Sequence, residues 1–409
     1  MEESPLFMLL DIDGVLLEAH GYRDACVDTI NDLLKQMGQP GLSVDRSLTD
    51  AFEARGIGAE WDMVPLTMAA FTDWYCSLTG IRFEDDTFPP DCGKIRMTDR
   101  DAFRAMLERM VDEYCGLLDP KQNVIDAIRL AYESGKADGL KALRGMPALW
   151  DRFFTNTLDP LSSPFFRELM CRLIGSAEFE RFYEMPSPVR CEPYLVTRDI
   201  PLVSEHWRSL LPECSGHGIF PVVMTYRPTR LPVIDGNNKA LYYVNTPDGE
   251  CALRLLGWTD GRIPMIGSGS LCYIENKYGV RREYYVKPHP FHALASMLRA
   301  VCDEMTALET ARQLCELEPG RDPNPAAEIL GPGKKIRLSV FEDSVTGIQS
   351  MKNAAGVLGR WGYEVEELVC GIVTTEEKKQ KLIGAGAVLY PDVNAAFDAM
   401  LSEFERELS

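Results

Sequence analysis

No apolar run in this chain approaches the ~18 residues that a membrane-crossing helix needs. The opening Met-Glu-Glu-Ser-Pro has neither the basic region nor the apolar stretch of a secretory signal, so export is not expected. Histidine is scarce, at 5 residues, and the 12 cysteines include no Cys-x-x-Cys pair and no zinc-like cluster with histidine. The cysteines therefore read as buried, reduced thiols of a cytoplasmic protein. Positive charge is also short, with 43 Lys and Arg against 62 Asp and Glu and a formal charge of −19. Nucleic acids and anionic membranes are bound by neutralising phosphates, so neither is an expected partner. A small phosphorylated metabolite remains compatible, because a local cation and a metal can outweigh the global field.

What is present describes an ordinary globular protein. A chain of 409 residues, 45% hydrophobic and 26% charged, is long enough for about two domains. Strand-like apolar runs lie at 6–11 and then, some two hundred residues later, at 219–224. Others follow at 263–266, 336–341, 369–373 and 387–390, separated by helical stretches at 291–305, 347–355 and 393–406. Alternating strands and helices predict an α/β fold with a doubly wound, parallel, Rossmann-like sheet. Between the first two strands the period changes. Stretches at 22–37, 61–78, 99–117, 121–134 and 164–174 carry apolar residues at helical spacing, as in Phe103, Met106, Leu107, Met110 and Val111. The expected organisation is thus a core at 1–19, an inserted helical domain at 20–215, and the rest of the core at 216–409. The Pro- and Gly-rich stretch 318–335 reads as a surface loop.

The chemistry-bearing residues sit where strands end. The run Leu6 to Leu10 leads into Asp11-Ile12-Asp13-Gly14, and ligands of open parallel sheets bind beyond the carboxyl ends of strands. A carboxylate there can attack phosphorus while its neighbour moves a proton, although the same residues also punctuate ordinary strand ends. The second strand ends in Thr225-Tyr226-Arg227, a hydroxyl followed by backbone N–H groups able to hold a phosphoryl oxygen. Arg227 and Arg230 are either further phosphate contacts or, as the favoured reading, ordinary surface arginines. Lys287, followed by Pro288, His289 and Pro290, is presented on a stiff turn into a helix, where its ammonium could neutralise a carboxylate and a transferring phosphoryl group. Finally Leu338 to Phe341 runs into Glu342-Asp343-Ser344, and Asp343 beside Asp11 and Asp13 would offer magnesium the hard oxygen ligands it takes.

In this order, Asp-x-Asp, Thr, Lys-Pro-x-Pro and Phe-Glu-Asp-Ser-Val-Thr-Gly-Ile, the chain resembles the haloacid dehalogenase superfamily. It is most similar to the subgroup containing beta-phosphoglucomutase and phosphoglycolate phosphatase, over about 1–20 and 216–400. The resemblance implies a helical cap inserted after the first motif. It implies Asp11 as nucleophile and Mg2+ ligand, and Asp13 as general acid/base whose carbonyl also reaches the metal. Thr225, Tyr226 and Lys287 would bind the phosphoryl group, and Asp343, with Glu342 close by, would complete the metal site. An acid at position 13 suits an alkoxide leaving group, which needs a proton, better than halide, which does not. The expected activity is therefore hydrolysis of a small phosphomonoester through an aspartyl-phosphate. A phosphomutase or a non-catalytic phosphometabolite-binding protein on the same fold are the alternatives. The chain departs from the compact family pattern by its large cap and by apparent insertions at 229–250 and 303–335. Within the cap, the segment Arg55 to Asp62 places Arg55 and Trp61 at an expected helix start, as substrate contacts or as ordinary cap and core residues.

Overall fold

Five consecutive apolar residues, Leu6–Leu10, form β1, and all five are buried. A strand buried on both faces belongs in the middle of a sheet covered by helices on each side. That is its place in the computed structural model, which describes residues 4–83, 88–234, 239–259, 261–281, 283–373 and 375–408. In chain order the further strands are β2 (Leu17–Glu18), β3 (Ile200–Pro201), β4 (Ile219–Met224), β5 (Met265–Ile266), β6 (Lys335–Glu342), β7 (Glu364–Ile372) and β8 (Val388–Tyr390). Six of them form one parallel sheet in the order β5-β4-β1-β6-β7-β8, while β2 and β3 pair antiparallel as a short ribbon.

The pleat divides the core in two. Phe7 and Leu9 join Val222, Met224, Leu338 and Val340 on one face, packed against the helices Ser268–Tyr278, Pro290–Arg299, Glu304–Glu316 and Val345–Arg360. Leu6, Met8 and Leu10 face the opposite way, with Val223, Phe341, Trp207, Leu256 and Phe397. Successive side chains of a strand point to opposite faces, so one apolar run supplies both layers.

The chain order reverses at β1. From β1 the chain comes back to β4 on one side and continues outward to β5, then crosses to β6 on the other side and continues to β7 and β8. Such a reversal opens a crevice beyond the strands' carboxyl ends. The ends that meet there are those of β1, β4 and β6, whose last paired residues are Leu10 with Val223 and Leu10 with Phe341.

The chain divides into two compact units, 1–19 with 199–409, and 20–198. The second crossing therefore falls at 198/199 and not at 215/216. Within 199–217, Glu205–Leu210 is a helix continued by the 3-10 turn Leu211–His217. Their apolar face, however, is spent on the sheet: Val203, Trp207, Leu211 and Cys214 pack with Leu6, Met8 and Leu10. Among its described residues the 20–198 unit has helices joined by irregular segments and no strand, and its longer helices are Gly21–Gln36, Glu60–Thr79, Arg100–Cys115, Val124–Glu133 and Pro164–Ile174. Phe103, Met106, Leu107, Met110 and Val111 are all buried in it.

The stretch 303–335 is not all loop. Asp303 caps the helix Glu304–Glu316 by accepting from the Thr306 amide at 3.0 Å, and that helix buries Ala307, Leu308, Ala311 and Leu314. Of the other apparent insertion, 229–250, positions 235–238 lie outside the described residues, and Lys239–Val244 and Asp248–Leu256 are helices. Among the described residues no helix is long and apolar enough to cross a membrane.

Candidate active site

The site begins where β1 stops. The Asp11 amide still donates to the Phe341 carbonyl at 3.2 Å, which fixes the first carboxylate against the end of β6. Gly14, with φ +77°, then turns the chain, and the amides of Leu16 and Leu17 close on the Ile12 carbonyl at 2.9 Å. A positive φ costs glycine little, so the sharp exit from the strand depends on that residue.

Lys287 reaches the same point from a different element. Its Nζ donates to Asp11 Oδ1 at 2.7 Å, to Glu342 Oε1 at 2.6 Å and to the Met224 carbonyl at 2.9 Å. One ammonium thus ties together the ends of β1, β6 and β4. The turn that carries it is anchored from below. Asn353 Nδ2 donates to the Pro288 carbonyl at 2.9 Å and Ser350 Oγ to the His289 carbonyl at 2.8 Å, both from the helix Val345–Arg360. Pro290 occupies the first turn of the next helix, and the His289 ring accepts from the Phe291 amide as its cap.

Glu342 is wholly buried. Its second oxygen accepts from Ser344 Oγ at 2.7 Å, and an added Cβ on Gly347 would lie 1.7 Å from Oε1. Only glycine at 347 lets the helix start close over this carboxylate. Asp343 stands beside it, paired with Lys378. One carboxylate oxygen each from Asp11, Glu342 and Asp343 lie within 4.8 Å of one another.

Electrostatics follow from burial. Desolvation lifts the Asp11 carboxyl to about 8, with Glu342 and Asp13 pushing the same way and Lys287 opposing. Burial alone would depress the Lys287 ammonium, but the Asp11 and Glu342 carboxylates outweigh it and hold the group above its ordinary value. Three carboxylates, Asp11, Glu342 and Asp343, meet two ammoniums, Lys287 and Lys378. The cluster carries an excess of negative charge when all five groups are ionised.

Asp13 lies outside that group and has its own partner. Arg227 engages it through Nε at 3.1 Å to both carboxylate oxygens and through a terminal nitrogen at 2.6 Å. The same nitrogen donates to Asp199 Oδ2 at 3.0 Å. Arg227, expected at the surface, is buried, with a side chain 2% exposed, because two carboxylates hold it there. Arg230 is exposed as expected. Thr225 is buried and its hydroxyl accepts from the Arg227 amide at 3.1 Å, while the Tyr226 ring is half-exposed. The sequence reading missed Arg227, Asp199 and Lys378. The single signal for the first was a cation two positions past Thr225; for the other two nothing local distinguishes them from surface charges.

In the helical unit, Glu60–Thr79 starts where expected and places the half-buried Trp61 in its first turn. Arg55 is ion-paired with Asp112 at 2.8 Å.

No family model and no curated protein matches the chain. Among solved structures it is similar to the crystal structure of a Northeast Structural Genomics Consortium target, at 13% identity and a TM-score of 0.56. The match covers 98% of this chain and 99% of that one. At such identity the likeness concerns the fold alone.

Proposed function

We propose that the protein is a phosphohydrolase of the haloacid dehalogenase type, acting on a small phosphomonoester with Mg2+. The observation that supports this most is the meeting of Asp11, Lys287, Glu342 and Asp343 beyond the ends of β1 and β6, at the reversal of the sheet. A pure binding site for phosphate would gather cations and N–H groups. This one gathers carboxylates around a lysine, a set that suits a bound cation and a reacting carboxylate better than the binding of phosphate alone.

The donor set suits a hard divalent cation. Asp11 and Asp343 offer oxygens within 4.8 Å of each other, and the surplus carboxylate charge leaves a cation unfilled. Glu342, already held by Lys287 and Ser344, serves better to position the lysine. Magnesium held by Asp11 and Asp343 would draw charge from the phosphoryl oxygens and favour the ionised form of Asp11.

The chain's own groups would divide the work as follows. An Asp11 oxygen attacks phosphorus in line and forms the aspartyl-phosphate, with Lys287 neutralising charge on the phosphoryl oxygens. The Thr225 hydroxyl, turned by its bond from the Arg227 amide, and the following backbone N–H of Tyr226 would hold another oxygen. Asp13 gives a proton to the departing alkoxide and later takes one from the attacking water. Arg227 and Asp199 orient Asp13 for both steps. The 20–198 unit follows the first motif in sequence, where the family's cap is inserted.

Purified protein with magnesium should release phosphate from some member of a phosphomonoester panel. Asp11→Asn should abolish that release, by about 10⁴-fold or more if the residue is the nucleophile. Release that survives Asp11→Asn, or that persists in EDTA, overturns the assignment.

A further inference from the structure

Away from the crevice, the helical unit contains two thiols that face one another. We propose that Cys171 and Cys191 form an oxidation-sensitive dithiol, which a peroxide converts to a disulfide through Cys191. The inference is independent of the activity proposed above.

Cys171 lies near the end of the helix Pro164–Ile174 and is fully buried; Cys191, on the segment that returns past it, is half-buried and within reach of solvent. The two segments are fixed against each other by backbone as well as side chains. The Ser176 hydroxyl accepts from the Cys191 amide at 2.7 Å and donates to the Cys191 carbonyl at 2.9 Å, and the Ser176 amide donates to that carbonyl at 3.1 Å. Gly175, at φ +83°, admits Pro193 so closely that an added Cβ would stand 2.7 Å from its ring. Here the sulfurs interlock. Cys191 Sγ donates to the Cys171 carbonyl at 3.4 Å and Cys171 Sγ to the Val189 carbonyl at 3.3 Å, so each thiol lies against the segment that carries the other.

The surroundings sort the two sulfurs into roles. The neighbouring Cys171 side chain lowers the Cys191 thiol below its ordinary value against the opposing effect of burial, with further help from Ser176 and Arg172. Arg172, buried between Glu168 and Asp32, supplies a fixed positive charge beside the pair. Burial moves other cysteines the opposite way: Cys214 and Cys370 are each raised to about 12. A thiolate is the nucleophile toward peroxide, so Cys191 is the sulfur that reacts first. Cys191 thiol and hydrogen peroxide give the sulfenic acid and one water, as the O–O bond breaks. The Cys171 thiol then attacks the Cys191 sulfur, the S–S bond forms, and the second water leaves. Two thiols are oxidised and one peroxide is reduced.

The test uses the whole chain, treated with one equivalent of hydrogen peroxide and digested without reductant. The expected product is a cross-linked peptide joining positions 171 and 191, lost on treatment with dithiothreitol, and absent in Cys191→Ser. In Cys171→Ser the sulfenic acid at 191 should persist and be trapped by dimedone. Should either variant fold poorly, alkylation of the unmodified protein decides. At pH 7 iodoacetamide should label Cys191 at least tenfold faster than the likewise half-buried Cys115. Cross-links that bypass the pair, or equal alkylation rates, overturn the proposal.

Discussion

Asp11 and Asp13 are separated by one residue and live in different electrostatic settings. Around Asp11 the partner is a lysine, shared with a buried glutamate, and negative charge is in excess when both carboxylates are ionised. Around Asp13 the partner is an arginine, whose planar fork grips it and the buried Asp199 together. An ammonium is a compact point charge that several oxygens can share and exchange, whereas a guanidinium fixes direction. On the function proposed above, the first suits a carboxylate that is to form a bond, and the second one whose direction must be fixed. Burial sharpens the contrast, with the Asp11 side chain 13% exposed and the Asp13 side chain 47% exposed.

The largest expected effect comes from removing the shared ammonium. Lys287→Met leaves Asp11 and Glu342 facing one another in a buried site and should cost about 3–5 kcal/mol in a denaturation experiment, besides eliminating phosphate release. If stability is unchanged, the lysine is not what reconciles these carboxylates. Arg227→Gln is next. It removes the cation that pairs with the buried Asp199 and should cost about 3 kcal/mol, nearly all from that side, because the Asp13 pair is too exposed to contribute much. Accordingly Asp199→Asn should lower the melting temperature more than Asp13→Asn does. Arg227→Lys keeps the charge and loses the fork, so kcat should fall about tenfold or more with KM little moved.

Asp11→Asn sharpens the comparison through pH, in metal-free buffer. The folded protein keeps the Asp11 proton up to about 8, while the unfolded chain releases it near 3.8. Between those values the folded state binds the extra proton, so this group makes stability fall as pH rises. The asparagine variant lacks that fall, and its advantage in melting temperature should grow from pH 5 to pH 8. An advantage constant with pH would show that Asp11 titrates normally. The smallest effect belongs to Tyr226→Phe, which leaves the backbone N–H in place and alters a half-exposed ring. Phosphate release should stay within about twofold, as for most surface substitutions.

Much of the sheet could be read in advance because its strands are short apolar runs bounded by turn residues. The run 219–224 matches β4 residue for residue, and 336–341 falls within β6. The meeting of Asp11, Lys287 and Glu342 was legible for the same reason, since each lies at a strand end or a proline-bounded turn. The boundary at 198 was not. Nothing local in the sequence shows that Trp207 and Leu211 pack on the sheet with Leu6, Met8 and Leu10. Arg227 escaped for a related reason. A buried arginine is betrayed only by its partners, and those lie at 13 and 199, far away in sequence.

The ribbon of β2 and β3 pairs Leu17 with Pro201 and Glu18 with Ile200. The chain therefore leaves the sheet unit and re-enters it through neighbouring residues, with about 5 Å between paired Cα atoms. An excursion whose two ends already touch places no demand on its own length or content. A few residues could close the gap as well as the 20–198 segment does. The ribbon would let one helical module be exchanged for another without rethreading a strand or disturbing the carboxylates beyond the carboxyl ends of β1 and β6.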